Sequence, residues 1–294
     1  MVRSYVGCKP YNEISNVFRR YTSVSNPRVL AVALVPAVLL ALAIACGGDD
    51  YFDEYDAKTR GQSGAEADGG AASVGEMVTV DPATAATVNG MITFSGDVPR
   101  FPPVNMSAEP DCVQMHGGRV PSDRVLVNDG KLQDVLVWVS KGLEGKRFPV
   151  RTDLVNLDQD GCIYKPHVVA VQMGQPLNIT NSDPTTHNVH PLPRENREWN
   201  KSQTSSAPAI DYAFPRAEMK IAVKCNIHPW MQAYIHVIEH PYFAVSAADG
   251  TFEIGNLPPG SYTLQAVHEQ LGEQEVQITV GASESTEVTF AYSG

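Results

Sequence analysis

The stretch Cys225-Asn226-Ile227-His228-Pro229-Trp230-Met231 carries a thiol, an imidazole and a thioether at equal spacing, with two residues between each pair. Upstream, Asn181-Ser182-Asp183-Pro184-Thr185-Thr186-His187-Asn188-Val189 offers a second imidazole where a strand would end. Two His, one Cys and one Met form the donor set of a type 1, or blue, copper site. Thiolate is soft and suits Cu(I), imidazole suits both oxidation states, and a weak thioether tunes the potential. A trigonal set lies between the preferences of Cu(I) and Cu(II), so little has to move when an electron arrives. Such a centre transfers single electrons and performs no bond chemistry of its own. Two plainer readings stay open. The Cys-x-x-His pair serves equally as half a zinc site, or as a buried Cys beside an unrelated His. Zinc leaves Met231 without a role, and also the His187 segment 38 residues before Cys225. Met231 also reads as core filler.

Converging ligands need rigid supports. Met219-Lys220-Ile221-Ala222-Val223 leads into Cys225 with apolar residues at period two, and Met231 to Ile238 leads out in the same strand-like manner. Pro229 stiffens the turn between them. Before the first imidazole runs Gly174-Gln175-Pro176-Leu177-Asn178-Ile179-Thr180-Asn181, and after it His187-Asn188-Val189-His190.

Over about residues 165–240 these motifs resemble the cupredoxin family, and the short Cys-x-x-His-x-x-Met loop is similar to that of its amicyanin branch. The resemblance implies a Greek-key β-sandwich holding one type 1 copper. It implies His187, Cys225 and His228 as equatorial ligands and Met231 as the axial one. It also implies that Asn188 donates its backbone N–H to the sulfur, and that protein partners donate and accept the electron. Electrons would pass through an exposed His228 edge beside Pro229 and Trp230. His190 is expected to face away from the metal, because residues three apart on an extended chain face opposite sides.

The amino terminus is basic (Arg3, Lys9, Arg19, Arg20, Arg28, with Glu13 the one acidic residue), and Val29–Ala45 is a 17-residue apolar run. This reads as an export signal. Ala43-Ile44-Ala45-Cys46 resembles a bacterial lipobox, which would leave Cys46 as a lipidated amino terminus. An uncleaved anchor helix is the alternative, at the short limit for spanning a bilayer. Arg19-Arg20 leaves twin-arginine export open. Either way the folded part is expected outside the cytoplasm. Removing residues 1–45 takes away five basic and one acidic residue. The remainder keeps 17 basic against 32 acidic side chains, a net charge of −15. That excludes sequence-independent nucleic-acid binding as a main role and suits steering toward a basic redox partner.

Of five cysteines, Cys8 leaves with the signal, Cys46 carries lipid and Cys225 binds metal. Cys112 and Cys162 remain, and an oxidising compartment permits a disulfide between them. The rival is a second metal site built from Cys112, His116, Cys162 and His167.

The chain divides into a signal (1–45), a flexible acidic linker rich in Gly, Ala and Ser (46–85), a β-rich extension (86–164), the copper domain (165–240) and a carboxy-terminal module (241–294). No sustained helical period follows the signal, and 23 Gly with 21 Pro agree with many turns. The fold class is therefore all-β. Residues 191–216 read as a long loop over the metal end, with Trp199 either filling a gap beneath it or docking a partner. In the last module, Asp249-Gly250-Thr251-Phe252-Glu253-Ile254 followed by Leu257-Pro258-Pro259-Gly260-Ser261-Tyr262-Thr263-Leu264 resembles the carboxypeptidase regulatory-like family, a small transthyretin-like β-sandwich without peptidase chemistry. The segment is short for a whole sandwich, so the strand around Val88–Phe94 is expected to complete it. His268 and Glu269 read as surface groups, since neighbours on a strand face opposite sides.

These readings converge on a lipid-anchored electron carrier that takes no small-molecule substrate. The alternatives are copper binding or delivery without redox turnover, an enzyme subunit, and a surface interaction module. No second copper cluster and no nucleophile–base pair is evident in the sequence to support an enzyme.

Overall fold

The computed structural model describes residues 75–294; the signal, the lipidation residue Cys46 and linker residues 46–74 lie outside them. Period-two alternation of apolar and polar residues sets the strands. Along Ala86–Ser95 every second side chain is buried up to Phe94, so one face points into a core and the other does not.

Two β-sandwiches result. In the first, one sheet orders Ile210–Tyr212, Leu177–Asn181, Val155–Gln159 and Tyr164–Lys165. The facing sheet orders Lys201–Gln203, His187–Leu192, Glu218–Lys224, Gln232–Ile238 and Val168–Gln172. Leu177–Asn181 runs parallel to Val155–Gln159, and Gln232–Ile238 parallel to Val168–Gln172, so the chain crosses between sheets in Greek-key fashion. Leu157, Leu177, Ile179, Val189, Phe214 and Ile235 fill the space between them and are fully buried.

The second sandwich joins both ends of the described chain. Ala86–Ser95 lies between Ser285–Ser293, to which it is parallel, and Thr251–Leu257, to which it is antiparallel. The facing sheet orders Phe243–Val245, Leu136–Lys141, Gly260–His268 and Gly272–Val280. The expected completion by Val88–Phe94 is thus observed. Gly90 is required there, because a Cβ would stand 2.1 Å from a ring carbon of Phe252. Leu136, Ile238 and Phe243 form a small apolar cluster that ties the two sandwiches together.

Four sequence expectations are corrected. Residues 86–164 are not one extension. Val88 through Phe148 contribute mainly to the second core, whereas Met106, Cys112, Val120, Leu157, Cys162 and Tyr164 belong to the first. The acidic linker does not extend to residue 85, because Glu76–Met77 pairs with Lys146–Arg147. The 191–216 loop contains two strands, Lys201–Gln203 against His187–Val189 and Ile210–Tyr212 against Leu177–Ile179. Finally, Pro110–His116 is a helix, α1, with Pro in its first turn. It ends at Gly117, whose φ of 62° lets its N–H bond the Val113 carbonyl. Two turns are too short to declare a helical period.

Candidate metal centre

The two ligand segments reach one place because strand His187–Leu192 pairs directly with strand Glu218–Lys224, His190 opposite Lys224. His187 therefore begins its strand beside the point where Cys225 ends the other. The loop from Cys225 to Met231 closes on itself. Met231 N–H donates to the His228 carbonyl at 2.9 Å, and Cys225 N–H to the Met231 carbonyl at 3.3 Å.

Ring nitrogens of His187 and His228 and the sulfur of Cys225 all lie within 4.8 Å of one another. The Nδ1 atoms of the two imidazoles stand 2.7 Å apart, and the Cys225 Sγ is 3.7 Å from His228 Nδ1. His187, Cys225 and His228 are 0%, 2% and 1% exposed. Met231 is equally buried, in the same core as Cys225.

Electrostatics prepare the sulfur. Burial opposes ionisation of the Cys225 thiol, yet His187 and the backbone amides of Asn188, His228 and Ile227 together bring it below its ordinary value. Burial likewise opposes charge on His187, but Asp183 and then Cys225 raise it above the usual imidazole range. His228 moves the other way, lowered by burial and by the neighbouring His187.

Asp183 and Tyr164, to which the motif reading gave no role, and the side chain of Asn188 hold the candidate ligands in place. Asp183 Oδ2 sits 2.7 Å from His187 Nε2. Its two oxygens also accept backbone N–H bonds from Gly161 at 2.6 Å and Cys162 at 2.7 Å. A carboxylate on the far nitrogen fixes the imidazole tautomer and leaves Nδ1 free to coordinate. Asn188 Oδ1 accepts the Asn226 N–H at 2.7 Å, tying the first ligand strand to the ligand loop. Tyr164 Oη donates to the Asn188 carbonyl at 2.7 Å. The spacing Asp183-x-x-x-His187 was the available signal for the first of these.

The expected exposed edge of His228 is absent. α1 covers it, with the Cys112 sulfur within 4.8 Å of a His228 ring nitrogen. The Trp230 ring lies tilted against the His228 ring, centroids 5.3 Å apart, and donates Nε1–H to the Cys162 carbonyl at 3.0 Å. Pro229 is exposed, and Ile227 is 45% exposed. Asn226, Ile227 and Pro229 of the loop therefore meet solvent while the imidazole does not.

Cys112 and Cys162 are disulfide-bonded, Cα atoms 5.7 Å apart. The rival second metal set does not assemble. His116 Nε2 bonds the Gly161 carbonyl, whereas His167 lies elsewhere, between Asp123 at 3.3 Å and Glu269 at 3.2 Å. That arrangement corrects the surface reading of His268 and Glu269. His268 is 3% exposed and the Glu269 side chain 6%, because the turn after Gly260–His268 presses onto the first sandwich. His190 bonds Asn226 and Glu198 and takes no part in the centre. Trp199 packs on Tyr212, with ring centroids 5.1 Å apart, against the first core.

The donor set fits copper. Two buried imidazole nitrogens stand 2.7 Å apart beside a buried thiol, a His2Cys set of the kind copper prefers.

A model of the carboxypeptidase regulatory-like domain matches residues 228–293. No curated protein matches the chain. Among solved structures, the chain is similar to a copper-containing nitrite reductase from Thermus scotoductus SA-01, at 17% identity and a TM-score of 0.28. That match covers 31% of this chain and only 24% of the reductase. A purple cupredoxin from Nitrosopumilus maritimus is similar at 16% identity and a TM-score of 0.25, over 28% of this chain and 98% of its own. A mutant amicyanin in the Cu(I) form is similar at 20% identity and a TM-score of 0.26, over 30% of this chain and 85% of its own.

Proposed function

We propose that this protein is an extracytoplasmic, lipid-anchored copper protein that passes single electrons between protein partners and catalyses no reaction of its own. The observation that carries the reading is the meeting of His187, Cys225 and His228 in a buried cluster, with their donor atoms within 4.8 Å of one another. Met231, buried in the same core, is the proposed axial ligand.

Copper held there would supply reversible one-electron chemistry. The chain's residues do the rest. Backbone amides of Asn188, Ile227 and His228 stabilise negative charge on sulfur. Asp183 orients His187. The surrounding core excludes water, which limits the solvent reorganisation that accompanies a change of charge. Since His228 is covered, the way out runs from its ring to Trp230 and the exposed Pro229 and Ile227. A net charge of −15 on residues 46–294 favours a basic partner.

The test is copper stoichiometry with optical and spin-resonance spectra of the purified protein, beside Cys225→Ala. One copper per chain with an intense thiolate-to-copper visible band, lost in the variant, supports the reading. A protein that takes up no copper, or keeps the band without Cys225, overturns it. The burial of His228 favours one second reading, a copper-holding protein without redox turnover. A colourless Cu(I) form that resists oxidation would select it.

A further inference from the structure

The Cys112–Cys162 disulfide lies directly on the proposed copper ligands. Its sulfurs and a ring nitrogen of His228 fall within 4.8 Å of one another. The Cys162 sulfur is also within 4.8 Å of Asp183 and of a His187 nitrogen. Two sulfurs and an imidazole at that separation are a second metal-ligand constellation, masked by the bond between the sulfurs. The geometry points to a thiol pair that, once reduced, binds Cu(I) through Cys112, Cys162 and His228.

The reduction balances simply. A dithiol reductant supplies two electrons and two protons, the S–S bond breaks into two thiols, and the reductant closes its own disulfide. Binding Cu(I) then displaces the thiol protons. Soft thiolates select Cu(I) among the available ions.

Both sulfurs stay in place without their bond. Cys162 is pinned by Asp183 at its amide (2.7 Å) and by Trp230 at its carbonyl (3.0 Å). Its neighbour Gly161 is held at the amide by Asp183 and at the carbonyl by His116. His116 ends the same helix that carries Cys112, so α1 remains tied to the Gly161–Cys162 turn by a contact independent of sulfur. All three candidate ligands are buried, which keeps competing water away. The site shares His228 with the proposed copper centre but not Cys225, so the two can be separated.

The experiment uses the full chain carrying Cys225→Ala, titrated anaerobically with Cu(I) against a chromophoric Cu(I) chelator, before and after reduction by a dithiol. The expected result is one additional Cu(I) per chain on reduction, lost when Cys112→Ser and Cys162→Ser are added. Cys8 and Cys46 contribute equally to both chains and cancel in the difference. X-ray absorption should find two sulfurs and one imidazole nitrogen at the metal, and His228→Gln should remove the nitrogen. No gain on reduction, or a gain that survives the serine substitutions, overturns the inference. So does a metal bound by sulfur alone, which is also the signature of a reduced chain that has unfolded. Failure of the electron-carrier reading is registered separately, by the missing visible band in the disulfide form of the unsubstituted protein.

Discussion

Asp183 Oδ2 stands 2.7 Å from His187 Nε2, while the same carboxylate receives the backbone N–H groups of Gly161 and Cys162. One buried side chain therefore couples a proposed ligand to the disulfide turn. Its pKa lies below the carboxylate range, because the bonds from His187, Cys162 and Gly161 outweigh the cost of burial. Asp183→Asn keeps the shape but weakens the orientation of His187, and copper affinity should fall roughly 10–100-fold. Asp183→Ala also strands two N–H donors and should cost about 1–3 kcal/mol of stability. Copper titration and urea unfolding measure the two effects; unchanged affinity in both variants would remove Asp183 from the centre.

The protein should lose stability in mild acid. His236, His240 and His268 are buried and neutral, each lowered by burial from 6.5 to about 4. Their Nδ1 atoms accept backbone N–H bonds from Lys220, Tyr242 and Gln270, which protonation would break. The folded pKa lies below the unfolded one, so the unfolded chain binds more protons between these values. The stabilisation is complete above about pH 6.5 and drains away as pH falls toward 4, at most about 3 kcal/mol for each histidine. Urea midpoints at pH 7 and pH 4.5 report it; a flat profile over that window would contradict the burial.

His167 should behave in the opposite sense. Burial lowers its pKa, but Asp123 and Glu269 raise it further, to about 10. The contacts are ion pairs without hydrogen-bond alignment. The folded value is above the unfolded one, so this contribution is whole below pH 6.5 and disappears as pH passes through about 10. His167→Leu leaves Glu269 buried without its cation and should destabilise by about 3–5 kcal/mol at pH 7. Calorimetry of the variant decides it; a loss below about 1 kcal/mol would mean that the pair is solvated as a surface pair is.

Gly90 tests the joining of the two ends. Any side chain there meets the Phe252 ring and the Val288 carbonyl. Gly90→Val should cost at least about 1–3 kcal/mol through overpacking. Deleting residues 87–95 should unfold the carboxy-terminal module, because Ala86–Ser95 supplies an inner strand of its sheet. Retention of a cooperative transition in that module after the deletion would refute the assignment.

Local chemistry was readable wherever neighbours in sequence carry it. The Cys225–Met231 spacing, the strands flanking it and the Asp249-Gly250 turn are written in consecutive residues, and the all-β class follows from their alternation. The completion of the second sandwich by Val88–Phe94 was also within reach, since too few strands lay near the carboxy terminus to bury both faces. The short helix was not, and neither were the two strands inside residues 191–216, whose pairing is created by partners rather than by periodicity.

The chain alone specified which donor atoms exist and which strands deliver them, because a ligand's identity and an alternating pattern are properties of a few adjacent residues. The folded molecule decided what surrounds them. It placed Asp183 behind His187, set the disulfide against His228, buried that imidazole beneath α1 and turned Glu269 inward onto His167. Each of those relationships joins a residue to its environment across the fold, and burial and electrostatic neighbours come into being only when distant segments pack.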